Sequence, residues 1–173
     1  MLLNVSSEIG RLKSVLVHLP GREIDMMIPS MMEQLLFDDI LYGQVAREEH
    51  RRFQQIIWFI ADQVYDIQDL LEEVFEEADV RAEVLRDMKR RYRIRPHVME
   101  DLEALSPANL AESMIGGLPV ENQDEEGAKP KFYLPPVPNL FFMRDPQMVI
   151  GDRVAINAMA SEARSREPYL SRV

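Results

Sequence analysis

The chain has no cysteine. That removes a disulfide framework, a thiolate metal site and a cysteine nucleophile from these 173 residues. Glycine is sparse, with seven in all, and their spacing yields no phosphate-cradling loop. Only three histidines occur. None stands at metal-ligand spacing with acidic neighbours, and no Ser-His-Asp set can be read from their order. Basic residues are outnumbered: 20 Lys and Arg against 30 Asp and Glu give a formal net charge of −10. This argues against a general nucleic-acid binder, because phosphate contacts need clustered cations. The one basic cluster, Lys89-Arg90-Arg91 with Arg93, reads as a solvated helix face. Long apolar runs are also missing. The best candidate, Ile56–Ala61, is far too short to span a bilayer. The opening MLLNVSSEIG lacks the basic start and apolar stretch of a signal peptide. A soluble cytoplasmic protein, with no nucleic-acid or membrane partner, is expected.

What is present is a chain of 173 residues, enough for one domain or one domain with a small insertion, and 46% hydrophobic, enough for a real core. Leu12–Pro20 is short, apolar and β-branched, and Pro20-Gly21 closes it as a turn, so it reads as a strand. His18, near its end, reads as a packed or solvent-facing side chain rather than a catalyst. From about Gln44 to Ala61 the period is helical, with Ala46, Phe53, Ile56, Ile57 and Ile60 on one face. Arg47, Glu48, Arg51 and Arg52 lie mostly off that face. "QVYDI" then reads as a second strand, which completes a strand–helix–strand α/β unit. From Gln68 to Gly116 the chain turns acidic, helix-forming and free of strand signals. Asp79 is placed to cap a helix with Val80, Val84, Leu85 and Met88 on its apolar face. Pro96 and Pro107 suit first helical turns, Ser106 a cap, and Gly116-Gly117 a stop. Met88, Met99 and Met114 read as core filler. The whole stretch looks like a small helical bundle inserted into the α/β part. Val120–Lys131 is polar and aperiodic, so an exposed, mobile loop is expected. "MVIGDRVAIN" reads as two strands turning at Gly151-Asp152.

Three polar constellations remain: Asn139 with Arg144-Asp145, Arg164 with Arg166-Glu167, and Asp38-Asp39 behind Leu35-Leu36-Phe37. Asp145 precedes a proline at the end of the strand-like run NLFFMR. Its plain reading is a turn former. The sharper reading is a desolvated carboxylate between Phe141-Phe142 and Pro146, suited to a guanidinium that donates two parallel hydrogen bonds. Arg164 follows one hairpin later and could return to the same end of the sheet to hold a substrate carboxylate. Its plain reading is a surface salt bridge with Glu162 or Glu167.

The stretches SEIGRLKSVLVHLPGREI, LLFDDI, PNLFFMRDP and INAM with ARSRE stand in the order and approximate spacing of the arginine deiminases. The resemblance runs from about Ser7 to Arg172. It implies the guanidino-group-modifying α/β-propeller fold: residues 1–75 as a first blade, 76–118 as an inserted helical subdomain, and 119–173 as a return loop and the start of a second blade. It implies that Asp145 binds the substrate guanidinium as the catalytic aspartate. Phe142 would pack on the substrate, Arg164 and Asn139 would hold its α-carboxylate, and Leu36 would line the pocket. Met143 departs from the threonine usual before Arg-Asp. The implied reaction is hydrolysis of L-arginine to L-citrulline and ammonia, with no metal or organic cofactor and with homo-oligomers possible. The family's cysteine and its acid/base histidine lie in later blades, so the expectation is an inactive leading part of such an enzyme. Two alternatives stand beside it: an amidinotransferase of the same superfamily, and a non-catalytic arginine-binding or interaction module.

Overall fold

The computed structural model describes residues 3–120 and 131–173. The polar segment expected to be a mobile loop lies, but for Val120 and Lys131, outside the described residues.

The chain is a mixture of helices and short strands, as its sequence pattern suggests. Strand β1 is Ser14–Val17. Helix α1 (Arg22–Asp25), a 3₁₀ turn (Pro29–Met31) and α2 (Met32–Leu35) lead into α3 (Gly43–Ile60). Strand β2 (Gln63–Asp66) then lies parallel to β1, with Ser14 beside Gln63 and Val17 beside Asp66. A parallel pair needs a long crossover, and α3 supplies it. The apolar face expected on α3 is only half right. Ala46 and Ile57 turn inward with His50 and Gln54, whereas Phe53, Ile56 and Ile60 are exposed, together with Trp58 and Phe59. A helix of 18 residues is about 27 Å long. Two strands about 4.8 Å apart are too narrow to cover its whole apolar side.

The next four helices are α4 (Ile67–Phe75), α5 (Ala78–Tyr92), α6 (Pro96–Ala104) and α7 (Pro107–Gly116). Asp66 caps α4 by accepting from the Gln68 amide. Asp79 does not cap α5: Glu77 takes that position without a side-chain bond. Asp79 sits inside the first turn, where its charge still favours the helix dipole. Pro96 and Pro107 open their helices, and Ser106 Oγ accepts from the Asn109 amide at 3.3 Å. Gly117 ends α7 at φ +84°. A Cβ there would meet Pro136 N at 2.7 Å and Leu134 O at 2.8 Å, so the position demands glycine.

These helices do not bury a core of their own. Phe75, Val84, Leu85, Met88, Leu102, Leu110, Met114 and Ile115 form one cluster with Leu134, Val137, Leu140, Met143 and Leu170, and Leu16 of β1 packs against it. The core is therefore continuous across all three sequence ranges. Burying a side chain of this size stabilises the fold by about 1.5–3 kcal/mol, so the helices and the returning segment hold each other in place.

After α7, β3 (Leu118–Pro119) pairs antiparallel with β4 (Phe132–Leu134). Strands β5 (Gln147–Ile150) and β6 (Arg153–Ile156) form the expected hairpin, with Gly151 at φ +60° in its turn. Val5 exchanges both backbone hydrogen bonds with Gly151. A 3₁₀ turn (Glu162–Arg164) and α8 (Glu167–Arg172) finish the chain. Among the described residues the strands thus fall into three separate two-stranded sheets. Among the described residues no helix is long and apolar enough to cross a membrane.

Candidate functional site

The segment Asn139–Pro146 is not the strand its apolar run suggests. It is a chain of turns: Leu140 N donates to Val137 O, Phe142 N to Asn139 O, and Asp145 N to Phe142 O. Prolines 138 and 146 bracket it, and Asn139 and Asp145 are natural turn residues. The turns send alternate groups inward and outward. Asn139, Leu140 and Met143 are buried, while Phe142, Arg144 and Asp145 face out.

A small second core sets the floor. Ile24, Met27, Met31 and Leu35 pack together, with Phe37, Phe132, Phe141 and Ala163 against them. Asn139 Nδ2 donates to the Leu35 carbonyl at 2.8 Å, tying the turns to the end of α2. The next residue, Leu36, has φ +65°, a left-handed conformation that strains a branched side chain by about 1–2 kcal/mol. Its side chain is exposed. A strained backbone that presents an apolar side chain to solvent is a feature that needs a reason outside packing.

Across this floor Asp145, Phe142 and Arg164 meet. Arg164 Nη1 donates to Asp145 Oδ2 at 2.8 Å, and its guanidinium lies 6.0 Å from the Phe142 ring centroid. Glu167, at the start of α8, takes the other side of the same guanidinium. Nε lies 2.9 and 3.1 Å from its two oxygens, and Nη2 is 2.8 Å from Oε2. The sequence left Arg164 between holding a substrate carboxylate and a salt bridge with Glu162 or Glu167; the side chain pairs with Glu167 and, in addition, with Asp145. Burial opposes the charge on Arg164, but Glu167 and then Asp145 outweigh it and raise its pKa above the ordinary value. Burial pushes the Glu167 carboxyl up, against the pull of Arg164, and the nearby Asp145 charge adds to the rise. Asp145 is not desolvated, since its side chain is 45% exposed.

The other singled-out residues lie apart from this cluster. Arg144 pairs with Glu8 at 2.8 Å on the surface, so Arg144 and Asp145 do not act as a pair. Asp38 and Asp39 are exposed, and Asp39 accepts from the Ile40 amide in a bend. Glu162 turns to Arg91 and Ser165. Arg166 is buried. It donates through Nη2 to the Pro135 carbonyl and stands 5.5 Å from the Tyr92 ring centroid, and among the described residues Nε and Nη1 have no hydrogen-bond partner. Burial lowers its pKa from the ordinary value.

A second polar cluster escaped the sequence. His18 is fully buried, with Nε2 3.0 Å from Glu23 Oε1 and Nδ1 3.4 Å from Asp66 Oδ1. Asp66 also accepts from the Leu19 and Gln68 amides, and Glu23 from Gly21. Burial opposes charge on His18, yet the two carboxylates hold its pKa up to about 9. His50 stands nearby, its pKa lowered by burial and by the His18 charge. The signal lay in strand ends: His18 follows β1, Asp66 ends β2, and only the parallel register brings them together. Among the described residues no group of three or more acidic or histidine side chains is placed to hold a metal ion.

The family model of arginine deiminase matches residues 33–173. An arginine deiminase of Limosilactobacillus fermentum is 36% identical over 98% of this chain and 45% of its own length. One from Lactococcus lactis subsp. lactis is 35% identical over the same shares. One from Staphylococcus aureus is 37% identical over 95% of this chain and 43% of its own. The chain thus spans under half the length of the curated relatives it matches.

Proposed function

The chain belongs to the arginine deiminase family, and on that premise we propose that it forms the arginine-recognition wall of an enzyme that hydrolyses L-arginine to L-citrulline and ammonia. The observation that carries this is the meeting of a carboxylate, an aromatic ring and a guanidinium on one face: Asp145, Phe142 and Arg164. Asp145 takes the substrate guanidinium through two parallel hydrogen bonds. The half-exposed Phe142 ring lies against the guanidinium plane. Arg164 takes the α-carboxylate. Leu36, held out by its left-handed backbone, lines the aliphatic stem. Asn139 serves as a second carboxylate ligand, for which its Nδ2 must leave the Leu35 carbonyl. In the implied reaction a cysteine thiolate attacks the guanidinium carbon and ammonia leaves. Water then adds to the carbon of the S-alkylisothiouronium intermediate, and loss of the thiolate releases citrulline. These residues contain no cysteine, so their share is binding and orientation.

The same proposal reads β1–α3–β2 as a first propeller blade, residues 76–118 as a helical insertion, and β5–β6 as the start of a second blade. The parallel strand–helix–strand unit and the hairpin support it.

The test is calorimetric titration of the 173-residue chain with L-arginine, alongside a citrulline assay. Binding without citrulline supports the recognition role. Absence of binding removes it, and citrulline formation by this chain refutes the assignment of chemistry to a residue outside it. Asp145→Asn is expected to weaken binding by about tenfold, a modest figure because the carboxylate is half exposed.

A further inference from the structure

Arg164 is gripped from both sides, but the two carboxylates that hold it are unlike. The Glu167 side chain is fully buried and meets the guanidinium in a bidentate pair; the Asp145 side chain is 45% exposed and meets it through Nη1 alone. Glu167 is anchored by α8, where Leu170 enters the main core. Asp145 stands on an outward-facing turn, with nearly half of its side chain open to water.

An extended free arginine spans roughly 7 Å from guanidinium carbon to carboxyl carbon, at bond lengths of about 1.5 Å. Asp145 and Arg164 are 2.8 Å apart. An arginine with one end on each cannot enter until they part. Their own ion pair is replaced on entry by two, because the ligand brings a guanidinium for Asp145 and a carboxylate for Arg164. The question is which partner yields. Moving Arg164 would strip a buried carboxylate of the cation that pairs with it, whereas moving Asp145 releases one hydrogen bond into water.

We propose that Glu167 is the positioning residue of the site: it fixes Arg164 as the stationary pole that reads the α-carboxylate, while Asp145 is the pole that swings. This rests on the reading of Asp145 and Arg164 as the two ends of an arginine site. Glu167 touches no ligand; it acts through the direction in which it leaves Nη1. Its role is therefore specificity for a guanidine that carries a carboxylate.

The experiment compares L-arginine with agmatine, the same guanidine without the carboxylate. Both are titrated into the parent chain, Glu167→Gln and Glu167→Asp, with thermal melts to check folding. The Gln variant keeps the shape and loses the charge; the Asp variant keeps the charge and draws the anchor back by one methylene. L-Arginine binding is expected to fall by about tenfold or more in both, with agmatine binding within about twofold of the parent. Equal losses for both ligands in a variant that melts like the parent would show a purely structural role and overturn the proposal. So would unchanged L-arginine binding. A measurement on the parent needs no variant: nitrogen-15 side-chain spectra follow the Arg164 Nε–H, which must stay slowly exchanging when L-arginine is added. Its loss on titration means Arg164 is the pole that moves, and the proposal fails. A parent chain that binds neither ligand removes the arginine site itself, an outcome distinct from these.

Discussion

Deprotonating His18 should loosen the fold in mildly alkaline solution. The imidazole is buried between Glu23 and Asp66, and its pKa is held up to about 9. In an unfolded chain it would titrate near 6.5. A folded-state pKa above the unfolded one means that protonation favours the native state. The contribution is fully present below about pH 6.5 and is lost as pH rises through about 9. A difference of roughly 2.5 units at 1.36 kcal/mol each gives about 3 kcal/mol. For a domain of this size that is a fall in Tm of about 6–12 °C. Asp66 works at the opposite end: burial alone would raise its pKa, but His18 and the two amides pull it below the ordinary value. Its contribution is present above about pH 4 and is lost in acid. His50, with its lowered pKa, stays neutral through the alkaline window. The assay is urea unfolding from about pH 6 to about pH 10, for the parent and for His18→Gln, which keeps hydrogen-bonding groups on both sides but cannot charge. The variant should be less stable at the acid end of this window, and the gap should narrow by about 3 kcal/mol towards the alkaline end. Parallel curves for the two proteins would refute the reasoning, because they would show that the buried imidazole carries no proton that folding depends on.

Gly117→Ala should destabilise by about 1–3 kcal/mol, since φ +84° and a Cβ 2.7 Å from Pro136 N leave the methyl no room; denaturant melts read this directly. Arg166→Met should be neutral or stabilising, because the guanidinium is buried and, among the described residues, Nε and Nη1 have no hydrogen-bond partner. A loss of more than about 2 kcal/mol in the same melts would contradict that view of the site. Ser106→Ala should lower stability by about 1 kcal/mol through loss of the Asn109 cap, and helix α7 should fray first in amide hydrogen exchange.

Elements whose cause is local could be read along the chain. Pro96, Ser106-Pro107 and Gly117 mark where α6 and α7 begin and end, and Gly151 marks the hairpin, because each acts on its own backbone. Features that depend on what lies across the fold could not. The inward side of α3 is set by a sheet only two strands wide, which no periodicity reveals. The run NLFFMR has strand-like composition, yet it is turned by bonds between residues three apart. The cluster of His18, Glu23 and Asp66 needs the register of two strands. For the candidate site, spacing left Arg164 open between a ligand role and a salt bridge with Glu167, and family resemblance supplied the roles. That Glu167 is wholly buried, and so the firmer anchor, follows only from the packing of α8.

The outward side of α3 has an optical consequence. The chain carries one tryptophan, Trp58, and it lies on that side, 66% exposed and next to Phe59 at 92%. Indole emission therefore comes from a single place, and that place lies on the surface, outside both buried apolar clusters. Its colour and its access to a quencher such as iodide report on what covers α3. Unfolding should change them little, whereas contact with another surface should shift the emission to the blue and shield it. One fluorescence trace can thus separate association from melting, two events that calorimetry would merge.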